Sequence, residues 1–72
     1  MEDIGIRLTI AMRELKIRDK QLAEMMSVSV GLIGQWRRGT RIPSDKLAIL
    51  CQNLNVNGHW LLFGEGPRHP PK

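Results

Sequence analysis

Between Val28 and Thr40 the chain reads VSVGLIGQWRRGT, and this stretch decides how the rest is read. Leu32, Ile33 and Trp36 ask for a helix, Ser29 suits its amino-terminal cap, and Gly39 suits its stop near Arg38. Yet Gly31 and Gly34 lie inside that helix, and two arginines follow Trp36 directly. Successive helical side chains are rotated by about 100°. Turning Leu32, Ile33 and Trp36 toward a core therefore puts Gly31, Gly34, Gln35 and Arg38 on the opposite side, with Val30 and Arg37 along one flank. Each glycine costs roughly 0.5–1 kcal/mol relative to alanine in a helix interior. That is a poor choice on a face that meets only water and a good one on a face that must approach something closely. The competing explanation is that the glycines relieve crowding against a neighbouring helix.

A DNA major groove is wide enough to admit one helix and displays donors and acceptors on its base edges. Gln35 has the two-headed amide that bonds adenine, Arg38 can grip guanine or a phosphate, and Val30 can pack on a thymine methyl. Charge points the same way. Eleven Lys and Arg against seven Asp and Glu leave a net charge of +4, which in a small domain suggests a polyanionic partner. No acidic residue occurs from Met25 through Ser44, whereas Arg37, Arg38 and Arg41 crowd together. Solvated helix faces also collect charge, so the cluster acquires meaning only from its geometry.

Outside this stretch the pattern is helical throughout. Ile4, Leu8, Ala11, Met12 and Leu15 recur at three- and four-residue intervals, marking a first helix from about residue 3 to 16. Ile6 and Ile10 fall off that stripe and either widen the buried face or meet a partner chain. DKQLAEMM reads as a second helix that buries Leu22, Ala23, Met25 and Met26, with Asp19 as its cap or first-turn acid. After the loop GTRIP, Ser44 or Asp45 can cap a fourth helix that turns Leu47, Leu50, Cys51 and Leu54 inward. Asn57 opens a short fifth helix, GHWLLF, closed by Gly64. The tail EGPRHPPK, with three prolines, is expected to be extended and mobile.

The fold class is therefore all-α: a compact five-helix bundle in one domain, residues 1–66, followed by a tail or the start of a linker at 67–72. The lone Cys51 excludes an internal disulfide and reads as a small buried hydrophobe. With no metal-ligand spacing, no signal peptide and no apolar run of spanning length, a soluble cytoplasmic protein without cofactor or metal is expected.

The run IRDKQLAEMMSVSVGLIGQWRRG resembles the helix-turn-helix of the phage repressor and Cro-like family: a helix containing LA, a tight turn before VS, then a helix with I, Q and W ending in RG. NVNGHWLLFGEGP resembles that family's closing segment. Together the two likenesses span most of residues 7 to 67. They imply that the second and third helices form the motif, that Leu22, Ala23, Val28, Ile33 and Trp36 are its core, and that the third helix reads operator DNA. On this likeness the base readers are Val30, Gly31, Gln35 and Arg38, with Gly34 on the same face. Ser29 caps the reading helix beside the phosphates, and Arg18, Lys20, Thr40 and Arg41 join it there.

Three departures from the family matter. Its turn usually has glycine where this chain has Ser27, at a site that often takes positive φ. It often has glutamine on a phosphate where this chain has Asp19, a carboxylate that would repel one. It commonly pairs a first-helix arginine with a glutamate after the tryptophan; here Met12 and Arg37 occupy those positions. Losing both partners strands no charge, and Arg37 is expected to be released toward the DNA backbone.

One such helix reads few base pairs, so a homodimer on two half-sites is expected. Trp60, Leu62 and Phe63 are its candidate surface, with Ile6 or Ile10; alternatively Trp60 and Leu61 close the core. An enzyme is disfavoured, because His59 and His69 assemble no catalytic or metal-ligand constellation. A membrane-surface role is disfavoured because no helix combines a wide apolar face with a basic one, and no small-molecule ligand is evident. The remaining rival shares the fold: antitoxins and other small regulators whose main partner is another protein.

Overall fold

A computed structural model describes residues 3–69. Five helices follow in order: α1 (Ile4–Leu15), α2 (Asp19–Met26), α3 (Val30–Arg37), α4 (Ser44–Leu54) and α5 (Gly58–Phe63). Most of the boundaries have a local cause. The Asp3 carboxylate accepts the Ile6 N–H at 2.9 Å, the Ser29 hydroxyl accepts that of Leu32 at 3.1 Å, and the Asn57 side chain accepts that of His59 at 3.0 Å. Lys16, Ser27 and Asn55 end α1, α2 and α4 in the left-handed region, at φ of 58°, 58° and 53°. In each case the next N–H turns back to a carbonyl of the final turn: Ile17 to Met12, Val28 to Ala23, Val56 to Cys51. Ser27 thus takes the positive φ expected of the motif's turn, without the glycine that would make it free of strain.

Of the two roles open to Asp19, it takes that of first-turn acid. Arg18 rather than Asp19 stands outside α2, its N–H bonded to the Gln21 side chain at 2.8 Å, and Asp19 is the first helical residue. At α4 the expectation of a Ser44 or Asp45 cap fails: Ser44 is the first helical residue, Pro43 precedes it, and no side chain caps the helix.

The core joins all five helices. Leu8, Leu22, Ile33, Trp36, Leu50, Leu54 and Leu61 are fully enclosed, with Ala11, Met12, Ala23, Met26, Ile42, Val56 and Trp60 around them. The Trp36 indole N–H is buried without a hydrogen-bond acceptor. Two residues assigned to the core lie outside it. Leu15 is exposed because α1 ends there, one residue before its left-handed cap, and Met25 is exposed because Leu22, Ala23 and Met26 already fill the inner arc of a two-turn helix.

Two contacts of α1 fix the assembly. Gly5 lies so close to the end of α3 that a Cβ there would stand 2.4 Å from the Arg37 carbonyl oxygen and 2.9 Å from that of Trp36. Only glycine permits this backbone-to-backbone approach. Arg7, 4% exposed, then reaches across to α5: its Nε donates to the Leu61 carbonyl at 2.7 Å and Nη2 to that of Leu62 at 2.8 Å. The guanidinium thereby serves the carboxyl end of a six-residue helix, where carbonyls lack intrahelical donors.

The segment after α5 folds back instead of running free. The Arg68 carbonyl accepts the Asn57 N–H at 2.7 Å, its guanidinium bonds Glu14 and lies over the Trp60 ring, and the His69 ring meets Glu14 at 2.8 Å and the Asn55 carbonyl at 3.1 Å. The prolines set extended backbone, but they do not prevent charged neighbours from docking. Pro70, Pro71 and Lys72 of the expected tail lie outside the described residues.

Candidate nucleic-acid interface

α2 and α3 pack on one another across the Ser27 turn, and α1 braces α3 from behind. On the inner side of this pair Leu22, Ala23, Ile33 and Trp36 are buried and Val28 is half-buried against the core. The outer face of α3 carries Val30, Gly31, Gln35 and Arg38, all exposed, with Gly34 half-buried among them.

The glycines can now be assigned. A Cβ at Gly31 would meet nothing within 4 Å, and one at Gly34 would meet only the Arg38 guanidinium, its Nη1 at 3.2 Å. Neither relieves crowding against a neighbouring helix, so that explanation falls; the glycine that does so is Gly5. The contact at Gly34 also shows that Arg38 folds along the bare surface of its own helix. A long, flexible side chain there can leave that surface when a better partner arrives.

Exposed polar and cationic residues stand at the start of α2 and after α3. Arg18 and Lys20 flank the start of α2, and Arg38, Thr40 and Arg41 are exposed at and beyond the end of α3. Gly39, at φ 107°, turns the chain between them. Arg37 departs from expectation. It is half-buried, its Nη1 paired with the Asp19 carboxylate at 2.5 Å and its Nε donating to the Thr9 hydroxyl at 3.1 Å. Arg37 is therefore paired within the domain, on α2 and α1, and is not released as expected.

The apolar surface divides. Trp60 is buried, closing the core beneath Arg68, and does not belong to an exposed patch. Phe63 and Ile6 are exposed, Leu62 and Ile10 half-buried. Ile4, Leu47, Leu62 and Phe63 line an open groove of about 770 Å³ between α1, α4 and α5. His59 stacks at a tilt on Phe63, ring centroids 5.0 Å apart. Burial pushes the Cys51 thiol above its ordinary pKa, as befits a packing residue.

Three features were missed by sequence reading: Gly5, Thr9 and Arg7. Arg7 left a signal, because it falls on the apolar stripe of α1 between Ile4 and Ala11, where a charge must find a buried partner. Gly5 and Thr9 left none, since their roles depend on how α1 crosses α3.

A second helix crossing a tight turn onto the first, with an outer face of glycines, an amide and a guanidinium, defines a helix-turn-helix domain. The family model of the bacteriophage CI repressor helix-turn-helix domain matches residues 7–69, and the chain belongs to that family. It is 32% identical over 68 residues to the HTH-type transcriptional regulator DicA of Escherichia coli strain K12, a match covering 93% of this chain and 50% of DicA. The chain thus spans about half the length of that curated relative. It also superposes on the crystal structure of the P22 c2 repressor protein in complex with a synthetic operator. There the TM-score is 0.85 with 32% identity, covering 90% of this chain and all of the other. No helix among the described residues is long and apolar enough to cross a membrane.

Proposed function

We propose that the chain is the double-stranded-DNA-binding domain of a repressor-type transcriptional regulator, acting in the cytoplasm where such DNA lies. In this reading α3 enters the major groove of an operator half-site. Gln35 and Arg38 bond base edges, Val30 packs against a methyl group, and Gly31 and Gly34 let the helix backbone come close. Arg18, Lys20, Ser29, Thr40 and Arg41 position the domain on phosphates. Leu62 and Phe63, with the exposed Ile6 of α1, meet a second copy, so that two α3 helices face half-sites about 34–36 Å apart. The reading assigns no catalytic role to His59 or His69, which contact Phe63 and Glu14.

The observation that carries it is the open space over Gly31 beside exposed Gln35 and Arg38. Footprinting on DNA flanking the coding sequence locates the operator, and anisotropy titrations then compare variants. Gln35→Ala is expected to cost about 1–3 kcal/mol on the operator alone. Lys20→Ala is expected to weaken all duplexes evenly and to reduce the salt slope by about one. Gly31→Leu is expected to fold normally and lose the operator. Undiminished operator binding by Gly31→Leu would refute the close approach of α3.

A further inference from the structure

The Asp19–Arg37 pair borders the reading face. Thr9, Asp19, Gly34, Arg37 and Arg38 together line one small depression of about 230 Å³, which places the carboxylate in the same recess as the bare backbone of Gly34 and the guanidinium of Arg38. Resting on the DNA-binding reading above, we propose that Asp19 limits the domain's attraction to phosphate. In this arrangement Arg37 masks the carboxylate and does not itself grip DNA.

The geometry supports this division of labour. Arg37 already commits Nε to Thr9 of α1 and Nη1 to Asp19 of α2, so swinging the guanidinium out toward a phosphate breaks two bonds that now exist. The two side chains keep 33% and 28% of their surface, so neither charge is hidden from a polyanion laid against α3. A half-exposed ion pair contributes little to stability; its larger consequence is electrostatic. Without Arg37, a bare carboxylate would face the phosphate backbone at the amino end of α2. Without Asp19, a further unpaired cation would stand beside Arg18, Lys20, Arg38 and Arg41.

Sequence-independent binding scales with the number of phosphates that a protein neutralises. A compensated pair holds that number down where Arg38 must remain free to choose a base. Asp19 thereby determines how far the domain prefers its operator over the many other duplex sites competing for it.

The test uses fluorescence anisotropy with the footprinted operator duplex and a duplex of unrelated sequence and equal length, each titrated across about 50–200 mM salt. Asp19→Asn preserves size and one acceptor while removing the charge, and Asp19→Ser serves as a second neutral variant. Both are expected to bind the unrelated duplex more tightly than the parent, with a salt slope steeper by about 0.9, equivalent to about 3.5-fold more affinity lost over that fourfold range. Arg37→Met is expected to bind more weakly with a shallower slope, and the double variant Asp19→Asn, Arg37→Met to return to the parent's slope. Melting curves of all four verify that each is folded at the assay temperature. An unchanged slope in both Asp19 variants overturns the proposal. Weaker binding in them overturns it also, and makes Asp19 a positioning residue for α3. If the parent chain binds neither duplex, the DNA-binding reading itself fails, and this inference with it.

Discussion

Replacing Arg7 by Met is expected to unsettle this domain more than any change on its surface. The side chain is 4% exposed, and two of its nitrogens hold the carbonyls of Leu61 and Leu62. Hydrogen bonds to a charged group are worth about 1.5–3 kcal/mol each, so the two together supply roughly 3–6. Methionine recovers part of this, because it needs no desolvation of a charge and loses less rotamer entropy; about 1–2 kcal/mol is a fair allowance. The Leu61 carbonyl would then be buried without that donor, whereas the less buried Leu62 could turn to water. The net loss is about 2–4 kcal/mol, set against a total of about 4–11 for a domain of this length. The melting temperature should fall by roughly 10–25 °C. Urea denaturation followed by tryptophan fluorescence reads the loss directly, since Trp60 lies one residue before Leu61. Arg7→Lys should lie between the two, one ammonium replacing a fork that spans two carbonyls. A Met variant within about 0.5 kcal/mol of the parent, or a Lys variant indistinguishable from Arg, would falsify this account of how α5 is held.

Gly5→Ala should lower stability by about 1–2 kcal/mol, because the added carbon forces α1 and α3 apart by roughly 1 Å and the gain in helix propensity only partly offsets the strain; an unchanged urea midpoint would contradict the contact. Ser27→Gly and Lys16→Gly should each raise stability by about 0.5–1 kcal/mol by relieving left-handed backbone, and Asn55→Gly should gain less because asparagine tolerates that region; calorimetry of the three ranks them. Cys51 should be alkylated more slowly at about pH 8 in the folded chain than in urea, since burial holds its thiol protonated. Its pKa is raised on folding, so the associated stability is complete below the unfolded thiol pKa and is lost as pH rises through the folded one. Denaturation midpoints that climb across that alkaline window would contradict this sign.

Local pattern made most of the fold legible. The apolar intervals locate all five helices, and Ser29, Asn57 and Gly64 mark ends that the backbone uses as expected. The outer face of α3 follows from angle alone. What stayed hidden depends on partners distant in sequence. Arg37 reads from the sequence as released toward the DNA backbone because no partner is evident nearby, and Asp19 lies 18 positions away on another helix. Arg68 and Glu14 are separated by 54 positions, so proline content could suggest an extended tail but not its docking. Met25 illustrates a different limit. In eight residues the inner arc is too short for periodicity to separate a third core position from a rim.

The crossing of α1 and α3 has a consequence for how such a domain could change its target. Its seat is main chain against main chain at Gly5, with no interchangeable side chain as a spacer. The tilt of the third helix is thus independent of whatever residues decorate its far side. If α3 reads DNA as proposed, exchanging Val30, Gln35 and Arg38 would respecify the sequence recognised while the backbone seat at Gly5 stays as it is.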